Sequence, residues 1–94
     1  SYPGGEADIV QHIAKNMQYP ALALEQELQG VVVVRFEVKK DGSIGRTQVA
    51  KSLSKECDLA ACNVVKTLQR FTPARQQGHP VAVWFTLPIR FQIQ

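Results

Sequence analysis

The chain has 94 residues, 45% of them hydrophobic and 20% charged, with a formal net charge of +3, which suits a single small domain over residues 1–94 with one modest core. No apolar run approaches the roughly 18 to 20 residues that span a bilayer, and the N-terminus lacks the basic, apolar, small-residue order of a signal peptide. Residues 51–94 carry six Lys and Arg against two Asp and Glu, a positive field suited to an acidic or phosphate-bearing partner, or simply to solubility.

Residues 5–17 place Ile9, Ile13 and Met17 at i, i+4, i+8, with Glu6 and Asp8 in the first turn, where the helix dipole favours anions. A short amphipathic helix is expected there, opened by Gly4-Gly5 and ended by Tyr19-Pro20. A second helical stretch is possible over 20–27, closed by Gly30. From 31 to 40 the even positions Val32, Val34, Phe36 and Val38 are apolar while Arg35, Glu37 and Lys39 alternate with them, the period of a strand with one buried face. Asp41-Gly42 supplies positive φ angles for a tight turn, and residues 43–51 return antiparallel with a bulge near Gly45. Asp58 is placed to cap a helix running to about Arg70, with Ala61, Val64, Val65 and Leu68 as its buried stripe. Phe71-Thr72-Pro73 stops that helix and Gln77-Gly78 turns the chain. Over 81–93 every odd position is apolar, from Val81 to Ile93.

The fold expected is α+β. A right-handed crossover carrying the second main helix delivers strand three beside strand one, giving a three-stranded, antiparallel or mixed sheet of order 2-1-3. Two helices cover one face, and strand three is an exposed edge. Pro88 sits inside that strand and cannot donate to a ladder, which an edge strand tolerates when the missing N–H would point outward. Backbone groups alternate sides along a strand, so Ala82, Trp84, Thr86, Arg90 and Gln92 face the open edge with Pro88. Such a row of free donors and acceptors is a template for an added strand, unless a terminal segment or a second copy covers it.

Catalysis is not expected. Cys57 or Cys62 with His12 or His79 is the available nucleophile and base set, and nothing in the sequence aligns them. The two cysteines are not at metal-ligand spacing, and on one helix they stand about 140° apart, so neither a metal site nor a disulfide between them is expected. No cofactor is implied. A nucleic-acid module is the alternative raised by the basic C-terminal half, but the open sheet face offers only Trp84 beside Val31 and Val33, with no aromatic pair for stacking bases.

The order Tyr19-Pro20, the run from Gly30 through Val34-Arg35-Phe36, Asp41-Gly42-Ser43, Asp58 to Ala61, Phe71-Thr72-Pro73-Ala74, and the stretch from Pro80 through Trp84-Phe85, Leu87-Pro88-Ile89 and Phe91 resembles the C-terminal domain of TonB energy-transducing proteins over essentially the whole chain. The resemblance implies a periplasmic domain of a longer, inner-membrane-anchored protein, in keeping with a start at Ser1-Tyr2-Pro3 rather than at methionine. It implies coupling to an ExbB/ExbD-type motor through the missing N-terminal region, and outer-membrane TonB-dependent transporters as partners. Their TonB box would pair with the third strand, and family contacts also fall just before Tyr19-Pro20, here Asn16, Met17 and Gln18. Cys57 and Cys62 depart from the larger aliphatics of the family pattern and imply a slightly different core. An appended domain of a sensor or peptidase, and a homodimer formed through the edge strand, are the other expectations that the resemblance leaves open.

Overall fold

The computed structural model describes residues 2–94; Ser1 lies outside them. Gly4 and Gly5, at φ 82° and 80°, turn the chain into the first helix. That helix, α1, spans Glu6–Asn16 and has no side-chain cap. Tyr2 anchors the segment before it: its ring meets Phe71 edge-on at 4.9 Å, and its hydroxyl accepts from the Gln69 N–H at 3.0 Å. A short helix, α2, covers Ala21–Glu25. Gly30 does not close it. Glu27 takes the left-handed conformation at φ 52°, while the Leu28 and Glu27 N–H groups bond back to the Ala23 and Leu24 carbonyls at 2.9 and 3.0 Å, the Schellman pattern.

The first strand, β1 (Gly30–Val38), and the second, β2 (Ile44–Lys51), form an antiparallel hairpin. Val32, Val34, Phe36 and Val38 are each 2% exposed or less, worth about 1.5–3 kcal/mol apiece in apolar burial. At the connection only Gly42 takes a positive φ, 88°. Its N–H reaches the Lys39 carbonyl at 2.8 Å, and the Lys39 N–H reaches Ser43 at 2.8 Å, so this is a three-residue loop with glycine at the bulge position rather than a two-residue turn. The expected irregularity near Gly45 is present: Phe36 pairs with Thr47, but Val38 pairs with Ile44.

The third helix, α3, spans Lys55–Lys66 and is capped by Ser54, whose side chain accepts from the Cys57 N–H at 3.1 Å. Asp58 is therefore not the cap. It lies one turn inside, where its carboxylate accepts from the Leu53 N–H at 3.0 Å and from the Ser52 hydroxyl. Both residues tie down the same helix start, and the Ser-Lys-Glu-Cys-Asp run does not by itself say which opens it. Cys57, Ala61, Val64, Val65 and Leu68 are buried. Both cysteines are free, Cys57 in the core and Cys62 half-buried.

Two strands absent from the sequence reading, β3 (Ala74–Gln76) and β4 (His79–Val81), make a small hairpin of their own. Gln77 and Gly78 both take positive φ, 52° and 81°, as a type I′ turn requires. The chain then enters β5, Val83–Phe91, the third strand of the main sheet. The sheet order is β2-β1-β5 with both pairings antiparallel, the α+β arrangement expected. α3 packs over β1 and β2, and α1 flanks β5, sharing a cavity wall with Leu87 and Ile89.

Candidate functional site

β5 is a sheet edge whose inner side is fully used. It pairs with β1 from Gly30↔Phe91 to Val38↔Val83, nine residue pairs with no register break. Pro88 lies opposite Val33. Hydrogen-bonded and non-hydrogen-bonded pairs alternate in an antiparallel ladder, so a residue without an N–H leaves the ladder intact only at a non-hydrogen-bonded position. Trp84, Thr86 and Arg90 share that parity, an even number of residues from Pro88.

The residues singled out in advance do not all fall in one place. Trp84, Thr86 and Arg90 lie within β5, whereas Ala82 sits in the break between β4 and β5, and Gln92 follows the end of the strand. Thr86, Pro88 and Arg90 are exposed. Asn16 and Gln18 line a separate cavity with Pro20, Leu59 and Thr67, between the end of α1 and α3. Asn16 also folds back, its side-chain amide donating to the His12 carbonyl at 2.9 Å. Met17, between them, is the residue of that segment that reaches β5, beside Leu87 and Ile89.

Trp84 is held more firmly than sequence alone suggests. It lies opposite Glu37, with the Arg35 guanidinium 4.9 Å from its ring centroid and that of Arg46 at 5.3 Å. Arg35 also donates to the Gln48 side-chain oxygen at 2.9 Å, and Arg46 Nε stands 3.4 Å from Glu37 Oε1. The open face thus carries a cross-strand polar network from β2 through β1 to β5. The Arg46 backbone N–H, then its side chain, holds the Glu37 carboxyl below the usual carboxylate range. Arg35 and Arg46 could have been flagged only by knowing the register, because Arg35 reaches Trp84 across one strand pairing and Arg46 across two.

On the helix side, Phe85 is 40% exposed although it belongs to the apolar odd set. It stacks on Phe71 at 5.5 Å and tilts against Phe36 at 5.9 Å, leaving a cavity of about 350 Å³ bounded by Tyr2, Ile9, Phe36, Phe71 and Leu87. Tyr19 closes the other end, its ring edge-on to Phe91 at 5.4 Å and its hydroxyl donating to the Leu28 carbonyl; burial, with Cys57 nearby, pushes the phenol up.

The thiol and imidazole groups are dispersed. His12 Nε2 is 2.8 Å from Thr67 Oγ1, and because that hydroxyl donates to the Val64 carbonyl at 2.6 Å, His12 Nε2 is the donor to it. This contact joins α1 to α3. Among the described residues no group of three His, Cys, Asp or Glu side chains gathers as metal ligands would, and no helix is long and apolar enough to cross a membrane.

Comparison with known proteins gives this edge a context. The family model described as "Gram-negative bacterial TonB protein C-terminal" matches residues 15–93. The protein tonB2 of Pseudomonas aeruginosa is 36% identical over 77 residues, covering 81% of this chain. The chain spans only 28% of the length of that relative. The solution structure of the Helicobacter pylori TonB C-terminal domain, residues 194–285, superposes with a TM-score of 0.71 at 24% identity, covering 92% of this chain and 90% of that one. The longer form, residues 179–285, gives 0.71 at 23% identity, covering 99% and 89%; at these identities the two structures show a shared fold alone. The chain accordingly belongs to the Gram-negative bacterial TonB C-terminal family, a family of transducers and not of enzymes.

Proposed function

We propose that this domain is the gripping end of a TonB-type energy transducer, taking hold of outer-membrane TonB-dependent transporters by adding their TonB box as a further strand on β5. The observation that carries this reading is the unbroken register of β5 on β1, which leaves a straight outer row of backbone donors and acceptors. Added strands use such rows, with main-chain bonds giving affinity and alternate side chains giving specificity. Each backbone bond contributes about 0.5–1.5 kcal/mol net, so several along the edge hold under tension and still release.

Trp84, Thr86, Arg90, Ala82 and Gln92 are the residues proposed to meet the partner, with Asn16 and Gln18 as a second contact region. At Pro88 the partner finds a carbonyl and no donor, so pairing is interrupted there. An exposed ion pair between Arg90 and an acidic partner residue adds under about 1 kcal/mol. The domain lies in the periplasm of a protein anchored in the inner membrane, and an ExbB/ExbD-type motor acts through the chain outside it. No cofactor takes part, and nucleic acid is not a partner: the ring of Trp84, which base stacking would need, is occupied by two guanidinium groups.

Titration of isotopically labelled domain with TonB-box peptides tests the reading. Amide shifts concentrated over residues 82–92 are expected. Shifts confined to α1 and α3 would sink it.

A further inference from the structure

The open face of the main sheet gathers the positive charge of the chain. Odd positions of β1 point to it, so Arg35, Glu37 and Lys39 lie there, the last two reaching beside Gly45. Lys51 stands opposite Val33 and Arg90 opposite Val31, which puts both on the same face, and Arg46 joins them over Trp84. This face therefore carries five cations against one carboxylate, while the rest of the chain carries six against seven. The helix layer leans the other way, with five acidic residues against three lysines in α1, α2 and α3. The basic excess of the sequence is thus a property of one face, and the domain has an electrical front and back.

These cations do not converge on a point. Lys39 and Arg46 lie at one end and Lys51 and Arg90 at the other, and residues 31 to 39 of an extended strand span about 27 Å. A small anion reaches two or three of them; an extended anionic surface meets all five. Lys39, Arg46, Lys51 and Arg90 are exposed, and the Arg46 side chain is 74% so. Between the two ends stand Val31, Val33, Thr86 and Pro88, short side chains that keep the face flat. Trp84 lies among the cations, and tryptophan, lysine and arginine are the side chains that settle at the headgroup level of a membrane. The outer backbone row of β5 points within the plane of the sheet, so a sheet lying flat on a surface leaves that row free for a strand.

Resting on the periplasmic placement proposed above, we infer that the open sheet face is a lipid-binding surface. It lays the domain on an anionic bilayer leaflet, with headgroup phosphates against the five cations and the acidic helix layer turned away. Docking of this kind confines the search for a membrane-embedded partner to the plane of the leaflet.

Flotation with vesicles of phosphatidylcholine, with or without phosphatidylglycerol, tests the inference. At low salt at least about tenfold more chain is expected on the anionic vesicles, and binding should vanish in about 1 M salt, where the Debye length is about 3 Å. Trp84 is the one tryptophan of the chain, so a headgroup spin label in the anionic vesicles should quench its fluorescence. Lys39→Glu with Lys51→Glu, at exposed positions, is expected to remove the binding. Lys15→Glu with Lys55→Glu changes the net charge equally on the helix side and should keep most of it. Neither pair lies on β5, so TonB-box peptide binding should be the same in both, and failure of the edge reading is separable from failure of this one. Equal binding to the two vesicle types, equal loss in the two double variants, or bound chain with unquenched Trp84 would overturn the inference. Tighter binding to polyglutamate than to anionic vesicles would assign the face to an acidic protein and overturn it as well.

Discussion

The main sheet has two edges, and they are finished differently. β2 breaks register with β1 twice, between Val33 and Val34 and between Phe36 and Val38, and each break twists the strand and misaligns its outer row of donors and acceptors. At the second break Glu37 even accepts the Arg46 backbone N–H, at 3.4 Å, so a donor freed by the bulge is taken by a side chain. β5 keeps its register over nine pairs, and Pro88 alone removes a donor from it. One edge broken and the other regular is the contrast on which the proposed pairing along β5 rests.

The sharpest way to break this contrast is proline at neighbouring positions of β5. Leu87→Pro places the missing N–H on the β1 side, opposite Val34, and should cost at least about 3 kcal/mol in urea denaturation, from the unsatisfied partner and the lost side chain. Thr86→Pro places it on the outer side and should cost about 1 kcal/mol or less, while weakening TonB-box peptide binding by more than tenfold. Equal destabilisation by both would contradict the parity assigned to the edge.

On the guarded side, Gly42→Ala should destabilise the domain by about 2 kcal/mol, because a Cβ there would stand 1.9 Å from the Phe71 carbonyl oxygen at a backbone φ of 88°. Chemical denaturation measures the loss, and the folded fraction should bind peptide normally. Loss of the α3 cap is a smaller effect: Ser54→Ala frees the Cys57 N–H and should lower stability by about 1 kcal/mol in thermal melts.

The smallest effect is one of pH. Glu37 and Asp41 both have carboxyls held below their ordinary values, the first by the Arg46 N–H and side chain, the second by the hydroxyl and N–H of Ser43. A carboxylate whose folded pKa is depressed contributes stability above its unfolded pKa and loses it as pH falls through the folded one. Stability should therefore decline below the ordinary carboxylate range, and Glu37→Gln should flatten that decline. A denaturation series over acid pH measures it, and β5 peptide binding should not follow the Glu37 part.

Much of this was written locally. Alternation in β1 marked Val32, Val34, Phe36 and Val38 for burial, and all four are in the core. A proline inside an apolar strand pointed to an edge, and β5 is one. Where competing local signals lay side by side, sequence misassigned them. Ser54 and Asp58 both secure the start of α3, and only the helix's own first bond, from the Asp58 N–H to the Ser54 carbonyl at 2.8 Å, says which is the cap. The β3–β4 hairpin escaped notice because two exposed strands of three residues, one holding Pro80, carry no periodicity.

The sequence by itself determined the main helices and strands, the buried face of each main strand and the family, since these depend on side-chain period and on residues a few positions apart. Only the tertiary structure decided which positions of β5 stay in water, how Trp84 is clasped by Arg35 and Arg46, and that α1 leaves cavities against Leu87. Those features depend on register and on how far each helix reaches across the sheet, and both are settled by contacts between segments far apart in the chain.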